Sequence, residues 1–214
     1  MLAVSARAGM PVWIPDDVAG SCCSVPWVSK GYTEGAALMA NRTISELWRW
    51  SGEGELPVVI DASSCAHGLA GEPPGLNEEN RERHGQLEIL DSVSWAKRLL
   101  PNLEISERLG SVAVHPTCST RHMGLERDLR EIAEAMADRV VQPIRATCCG
   151  MAGDRGMLHP ELTASATADE AAELAGSRHD AYLCSNRTCE IGLQEATGAA
   201  YQSFVIPLER ISRL

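Results

Sequence analysis

V-A-V-H-P-T-C (112–118), T-C-C-G (147–150) and Y-L-C-S-N-R-T-C-E (182–190) hold five of the chain's eight cysteines, and their arrangement decides how the rest is read. Cys148 and Cys149 are adjacent, whereas Cys118, Cys184 and Cys189 come from distant points along the chain. Each intervening segment is long enough for a helix and a strand, so these thiols converge only in a folded α/β unit. Converging soft sulfur donors are what zinc and iron–sulfur clusters require.

Working outward, an apolar strand over 111–115 delivers Cys118, a second over 140–146 delivers Cys148 and Cys149, and a third over 181–184 ends on Cys184. Leu125, Leu129, Ile132 and Met136 recur with helical spacing and predict a helix over 121–139. Thr167-Ala-Asp-Glu170 reads as a capping box that opens a helix over 167–175. Cys189 stands at a further helix start, and 204–208 reads as a last strand or extended tail. Toward the N-terminus we expect a strand over 12–14, a loop carrying Cys22 and Cys23, and a helix over 31–50 with Ala37, Ala40, Ile44, Leu47 and Trp48 on one face. A buried strand over 56–62 then ends near Cys65. The polar stretch 70–83, with Gly71, Pro73, Pro74 and Gly75, reads as a linker or surface loop. A helix over 87–100 follows, ended by Pro101.

Strands alternating with helices imply a mainly parallel sheet flanked by helices. In such a sheet the carboxyl ends of the strands line the functional crevice. Cys65, Cys118, Cys148, Cys149 and Cys184 all fall on that edge.

Composition narrows the function classes. At 214 residues with 44% hydrophobic content, the chain can bury a proper core. A net charge of −10 and a pI near 5.1 argue against nucleic acid, which rewards clustered Lys and Arg. No apolar run is long enough for a transmembrane segment. The opening apolar run is short and broken by Arg7, a poor signal peptide, and Asp16 and Asp17 spoil a lipoprotein reading of Cys22. The expected location is therefore cytoplasmic, including peripherally at the inner face of the membrane. Eight cysteines without export point to metal or redox chemistry rather than to disulfides.

The two halves of the chain look related. Cys22-Cys23 matches Cys148-Cys149, and Cys65 matches Cys189 at nearly the same offset, with C-A-H-G-L (65–69) against C-E-I-G-L (189–193). A partner for Cys118 would fall upstream of Met1, which reads as a chain beginning inside a longer protein. The expected architecture is thus two pseudo-repeated α/β units, an incomplete one over 1–84 and a complete one over 85–214.

On these residues the chain resembles the cysteine-rich CCG domain. That domain occurs in heterodisulfide reductase B-type subunits, in the iron–sulfur subunit of glycolate oxidase, and in the iron–sulfur half of FAD-linked D-lactate dehydrogenases. D-V-A-G-S-C-C-S-V-P-W-V-S-K-G-Y (17–32), V-V-I-D-A-S-S-C (58–65) and S-N-R-T-C-E-I-G-L (185–193) resemble the last group most closely. The resemblance implies an iron–sulfur cluster of [4Fe–4S] type on Cys118, Cys148, Cys149, Cys184 and Cys189. Cys22, Cys23 and Cys65 would then be the remnant of a second site. It further implies FAD on a separate or partner segment, an FAD-binding oxidase domain or subunit as electron donor, and a quinone or cytochrome as acceptor. The parent reaction would be oxidation of a 2-hydroxy acid such as D-lactate or glycolate. Three positions depart from the family pattern: Asn186 and Ala62 stand where the first Cys of a Cys-x-x-Cys is expected, and Ser24 replaces the glycine after Cys22-Cys23.

Two other readings use the same cysteines. Four thiols can hold a structural zinc, although adjacent cysteines suit one ion poorly. Alternatively, Cys148-Cys149 or Cys22-Cys23 can undergo thiol–disulfide exchange, against the strain of a ring closed between neighbours. His115, three residues before Cys118, can serve a metal or a thiolate, with packing at a strand end as the plainer reading. No Ser-His-Asp set, phosphate-binding glycine loop or carboxylate pair stands out, so no self-contained catalytic site is expected.

Overall fold

The computed structural model describes residues 1–213. In chain order the elements are α1 (Leu2–Arg7), α2 (Val25–Ser29), α3 (Thr33–Trp50), β1 (Val58–Ile60), α4 (Ser63–Ala70), α5 (Glu78–Gln86), β2 (Ile89–Asp91), α6 (Ser92–Leu99), β3 (Leu109–Val114), α7 (Cys118–His122), α8 (Glu126–Met136), β4 (Ala137–Val141), α9 (Arg155–Leu158), α10 (Pro160–Leu174), β5 (Ala181–Cys184), α11 (Arg187–Thr197), β6 (Tyr201–Ser203) and α12 (Val205–Ile211). They form two compact units, Trp13–Ser92 and Met1–Val12 with Val93–Leu214.

The larger unit is built on a four-stranded sheet of order β4-β3-β5-β6, parallel throughout. Its central strand reads Val112, Ala113, Val114, all without exposed surface, the unbroken apolar run of a strand covered on both sides. Leu129, Ile132, Ala133 and Met136 of α8 are equally buried, and α8 packs on β3 and β4. Helix α11 packs on β5 and β6, and α10 on α11. The smaller unit has a two-stranded parallel sheet, β1 with β2, and a core of Ala40, Ile44, Leu47, Leu69 and Leu76 that includes Cys23. The α/β class with parallel sheets flanked by helices is as expected.

Several boundaries differ from those expected. The helix expected over 121–139 is two helices, because Gly124 turns the chain with φ +72 between α7 and α8. Its last residues belong to β4, which comes earlier than expected, since Pro143 cannot join a ladder and 142–147 becomes a loop. Helix α10 starts at Pro160, whose fixed φ suits a first helical turn, so Thr167 and Glu170 lie inside it and form no capping box. The strand or tail expected over 204–208 is helix α12, preceded by β6. Residues 12–14 form no strand, and Trp13 and Ile14 are exposed. Half of the expected linker is helix α5, started by the Asn77 side chain accepting from the Asn80 amide at 2.8 Å. Residues 89–91 leave the expected helix to pair with β1.

Candidate metal centre

Each thiol of the larger unit is placed by a strand end and the helix after it. Beyond β3, Thr117 caps α7 by accepting from the Thr120 amide at 3.1 Å. The Thr120 hydroxyl lies 2.8 Å from that of Thr117 and 2.9 Å from that of Ser185. This buried hydroxyl chain ties the end of β3, with Cys118, to the end of β5, with Cys184. Cys148 and Cys149 hang from the loop after β4, which is fastened from three sides. The Ile144 and Arg145 amides donate to the Glu173 carboxylate at 2.9 and 3.2 Å, Arg121 donates to the Ala146 carbonyl, and Gln142 donates to Glu126.

Gly150 has φ +72, and a Cβ there would meet the Leu162 carbonyl oxygen at 2.6 Å. Only glycine permits both the left-handed turn and the approach of α10 to the cysteine pair. Gly192 plays the second part on α11, where a Cβ would meet Met151 and Thr163 at 3.0 Å. The pair is therefore wedged between two helices at backbone distance.

The outcome is a row of five thiols from separate segments. Cys149 and Cys189 are 2.9 Å apart, Cys118 and Cys149 each hydrogen-bond to Cys148, and Cys189 hydrogen-bonds to Cys184. All five are free thiols; Cys149, Cys184 and Cys189 are buried and Cys118 is exposed. Within the row, the Cys148 thiol is drawn far below the usual range. Donation from Cys118, then from Cys149, and the Gly150 amide pull it down to about 2, against its burial. Donation to Cys148 and burial push Cys118 up, and hydrogen bonding to Cys148 and Cys189 with burial pushes Cys149 up. At Cys189 the hydrogen bond with Cys149 favours the thiolate, but Cys184 and burial outweigh it and push the thiol up to about 12. Among the described residues no three His, Cys, Asp or Glu side chains are arranged as a single-ion site.

Asn186, in the place of the expected cysteine, is the residue before α11. Its amide donates to Thr188 at 3.0 Å and reaches the Cys189 sulfur at 3.6 Å, so position 186 faces the thiols but offers them no ligand. Three buried polar residues border the row. His115 Nδ1 lies 2.7 Å from Glu170, whose other oxygen accepts from the Tyr201 hydroxyl at 3.0 Å. Tyr201 packs in one cluster with Cys149, Cys184 and Cys189. Burial and then Glu170 push the Tyr201 phenol up. Glu170 and Tyr201 carry no sequence signal for this role. Glu170 sits in a run of small and acidic residues that looks solvent-facing until the start of α10 is known.

The smaller unit brings Cys23 and Cys65 together in the same style. Cys23 and Cys65 are 2.9 Å apart. Hydrogen bonding between Cys23 and Cys65 pushes Cys23 up and draws Cys65 down. Thr43 holds the stretch of chain before them, donating to the Cys22 carbonyl at 2.8 Å. Cys65 is the third residue of α4, as Cys189 is of α11.

Comparison with known proteins agrees with this geometry. The chain is 26% identical over 140 residues to the C subunit of anaerobic glycerol-3-phosphate dehydrogenase from Escherichia coli strain K12, and equally to that from Escherichia coli O157:H7. The match covers 63% of this chain but 35% of those proteins, so the chain spans only part of their length. Residues 112–194, which run from β3 through Cys189, match the model of the cysteine-rich CCG domain. The five-thiol segment of this chain is therefore a cysteine-rich domain of the CCG family.

Proposed function

We propose that the larger unit holds an iron–sulfur cluster on Cys118, Cys148, Cys149, Cys184 and Cys189 and acts as the electron-transfer module of a flavin-dependent dehydrogenase. The observation that carries this reading is the row of five free thiols from four chain segments, with no carboxylate among them. Such a donor set fits a cluster, which takes one thiolate at each of several irons. It fits a single zinc poorly, since four sulfurs must then surround one point, and the row is not so arranged.

When bound, the cluster supplies reversible one-electron transfer. The chain's own residues do the rest. Cys148, whose thiol is drawn well below the usual range by donation from Cys118, gives up its proton to a metal most readily. The Gly150 amide, 3.4 Å from that sulfur, disperses its charge. Cys149, Cys184 and Cys189 are screened from water, while exposed Cys118 marks the side open to solvent.

We propose a [4Fe–4S]-type cluster, fed by an FAD-bearing domain or subunit that oxidises a 2-hydroxy acid of the D-lactate or glycolate kind and draining to a quinone or cytochrome. The match to a subunit of a dehydrogenase supports a multi-part assembly. No described helix is long and apolar enough to cross a membrane. We assign Cys22, Cys23 and Cys65 to a second site in a related unit.

A second reading rests on one distance. Cys149 and Cys189 are close enough at 2.9 Å to close a disulfide with a small movement. Protein purified without oxygen separates the readings. Iron and acid-labile sulfide in comparable amounts, with a broad visible band and an EPR signal, support the cluster. Zinc alone would make the unit a structural module, and a metal-free protein with a titratable Cys149–Cys189 couple would make it a thiol–disulfide domain.

A further inference from the structure

His115 follows β3, and its amide donates to the Leu183 carbonyl at 2.9 Å, which places it beside Cys184 at the end of β5. The side chain has no exposed surface, and Glu170 is 1% exposed. Both oxygens of that carboxylate are engaged, one by His115 Nδ1 at 2.7 Å and one by the Tyr201 hydroxyl at 3.0 Å. The ring's other nitrogen, Nε2, is buried and has no hydrogen-bond partner among the described residues.

A buried imidazole nitrogen left without a partner costs about 1–3 kcal/mol, so a fold keeps one only where something else satisfies it. Glu170 accepts at Nδ1 and thereby holds the proton there, which leaves Nε2 with its lone pair. An imidazole fixed by a carboxylate through one nitrogen, with the other free, is the usual posture of a metal-ligating histidine. The ring stands at the end of the row: its own amide bonds the residue before Cys184, and Tyr201, which holds Glu170, packs with Cys149, Cys184 and Cys189.

The chain also has a deficit that such a ligand would offset. Asn186 faces the row where a thiol is expected and presents an amide donor to Cys189 instead.

We propose that His115 is a nitrogen ligand, through Nε2, of the metal–sulfur group held by the five thiols, and that Glu170 and Tyr201 are the positioning residues that aim it. The proposal rests on the cluster reading above and goes beyond it by assigning a mixed nitrogen and sulfur donor set.

The test is pulsed EPR on anaerobically reconstituted full-length protein in its paramagnetic state, with and without 15N-labelled histidine. The expected result is a strong nitrogen coupling, typical of direct bonding, that changes isotope with the label and is lost in His115→Gln. The metal-free His115→Gln protein should unfold at a temperature close to that of metal-free wild type, which separates ligation from folding. Glu170→Gln should keep the coupling's isotope response but let a chelator strip iron about tenfold faster or more. A loaded protein with no histidine coupling, or with only the weak coupling of a hydrogen bond, overturns the proposal and leaves the cluster reading standing. Failure to take up iron and sulfide at all overturns both.

Discussion

Ser24 and Gly150, each the residue after a cysteine pair, share a left-handed backbone, with φ of 64 and 72. The second position uses glycine and the first does not, although a non-glycine residue there costs about 1 kcal/mol. The difference lies in what surrounds them. At Gly150 a Cβ would strike the α10 backbone, whereas Ser24 is accommodated at the start of α2. We expect Gly150→Ala to destabilise the larger unit by at least about 2 kcal/mol and to lower its metal uptake. Ser24→Gly should stay within about 1 kcal/mol of wild type. Urea unfolding of both variants, followed by circular dichroism, measures the contrast.

In the metal-free protein the more reactive thiol should be the less exposed one. Cys118 is exposed, but donation to Cys148 pushes its own thiol up and draws the Cys148 thiol far below the usual range. Because the thiolate is the nucleophile, iodoacetamide at about pH 6 should alkylate Cys148 before Cys118. Peptide mass spectrometry over time gives the order. Alkylation that follows exposure instead would dismiss the assignment of the thiolate.

Acid stability of the larger unit should depend on the tie between α1 and α12. Glu209 accepts from Arg213 and Arg7, and these guanidinium groups draw its carboxyl from 4.5 down to about 2. With the folded pKa below the unfolded one, the contribution is complete above about 4.5 and is lost as the pH falls toward about 2. The melting temperature of Glu209→Gln should therefore fall less steeply than that of wild type across this window. Equal slopes would show that the ion pairs contribute nothing, as exposed pairs often do.

Thr117→Ala tests whether the hydroxyl chain from Thr117 through Thr120 to Ser185 sets Cys118. Loss of the cap should cost about 1 kcal/mol. If the chain also positions Cys118, iron retention against a chelator should fall further than in a variant of equal stability changed elsewhere, such as Asn77→Ala on α5.

The cysteine pattern, the buried runs before each motif and the four-residue periodicity of α8 were legible in the sequence, because side-chain chemistry and the 3.6 and 2.0 repeats are written locally. They were enough for the parallel α/β class; that Cys118, Cys148, Cys149, Cys184 and Cys189 hold one metal–sulfur group is the expectation the same pattern raises. Element boundaries were not legible where one residue decides them. Pro160 starts α10 several residues before the Thr167-to-Glu170 motif that imitates a helix start, and Pro143 shortens β4. Only the tertiary structure turned Glu170 inward to meet His115 and Tyr201. A carboxylate in a helix looks solvated until the packing of α10 and the place of β6 are known, and whether a charged group is buried is a property of its neighbours in space, which adjacency in the chain does not carry.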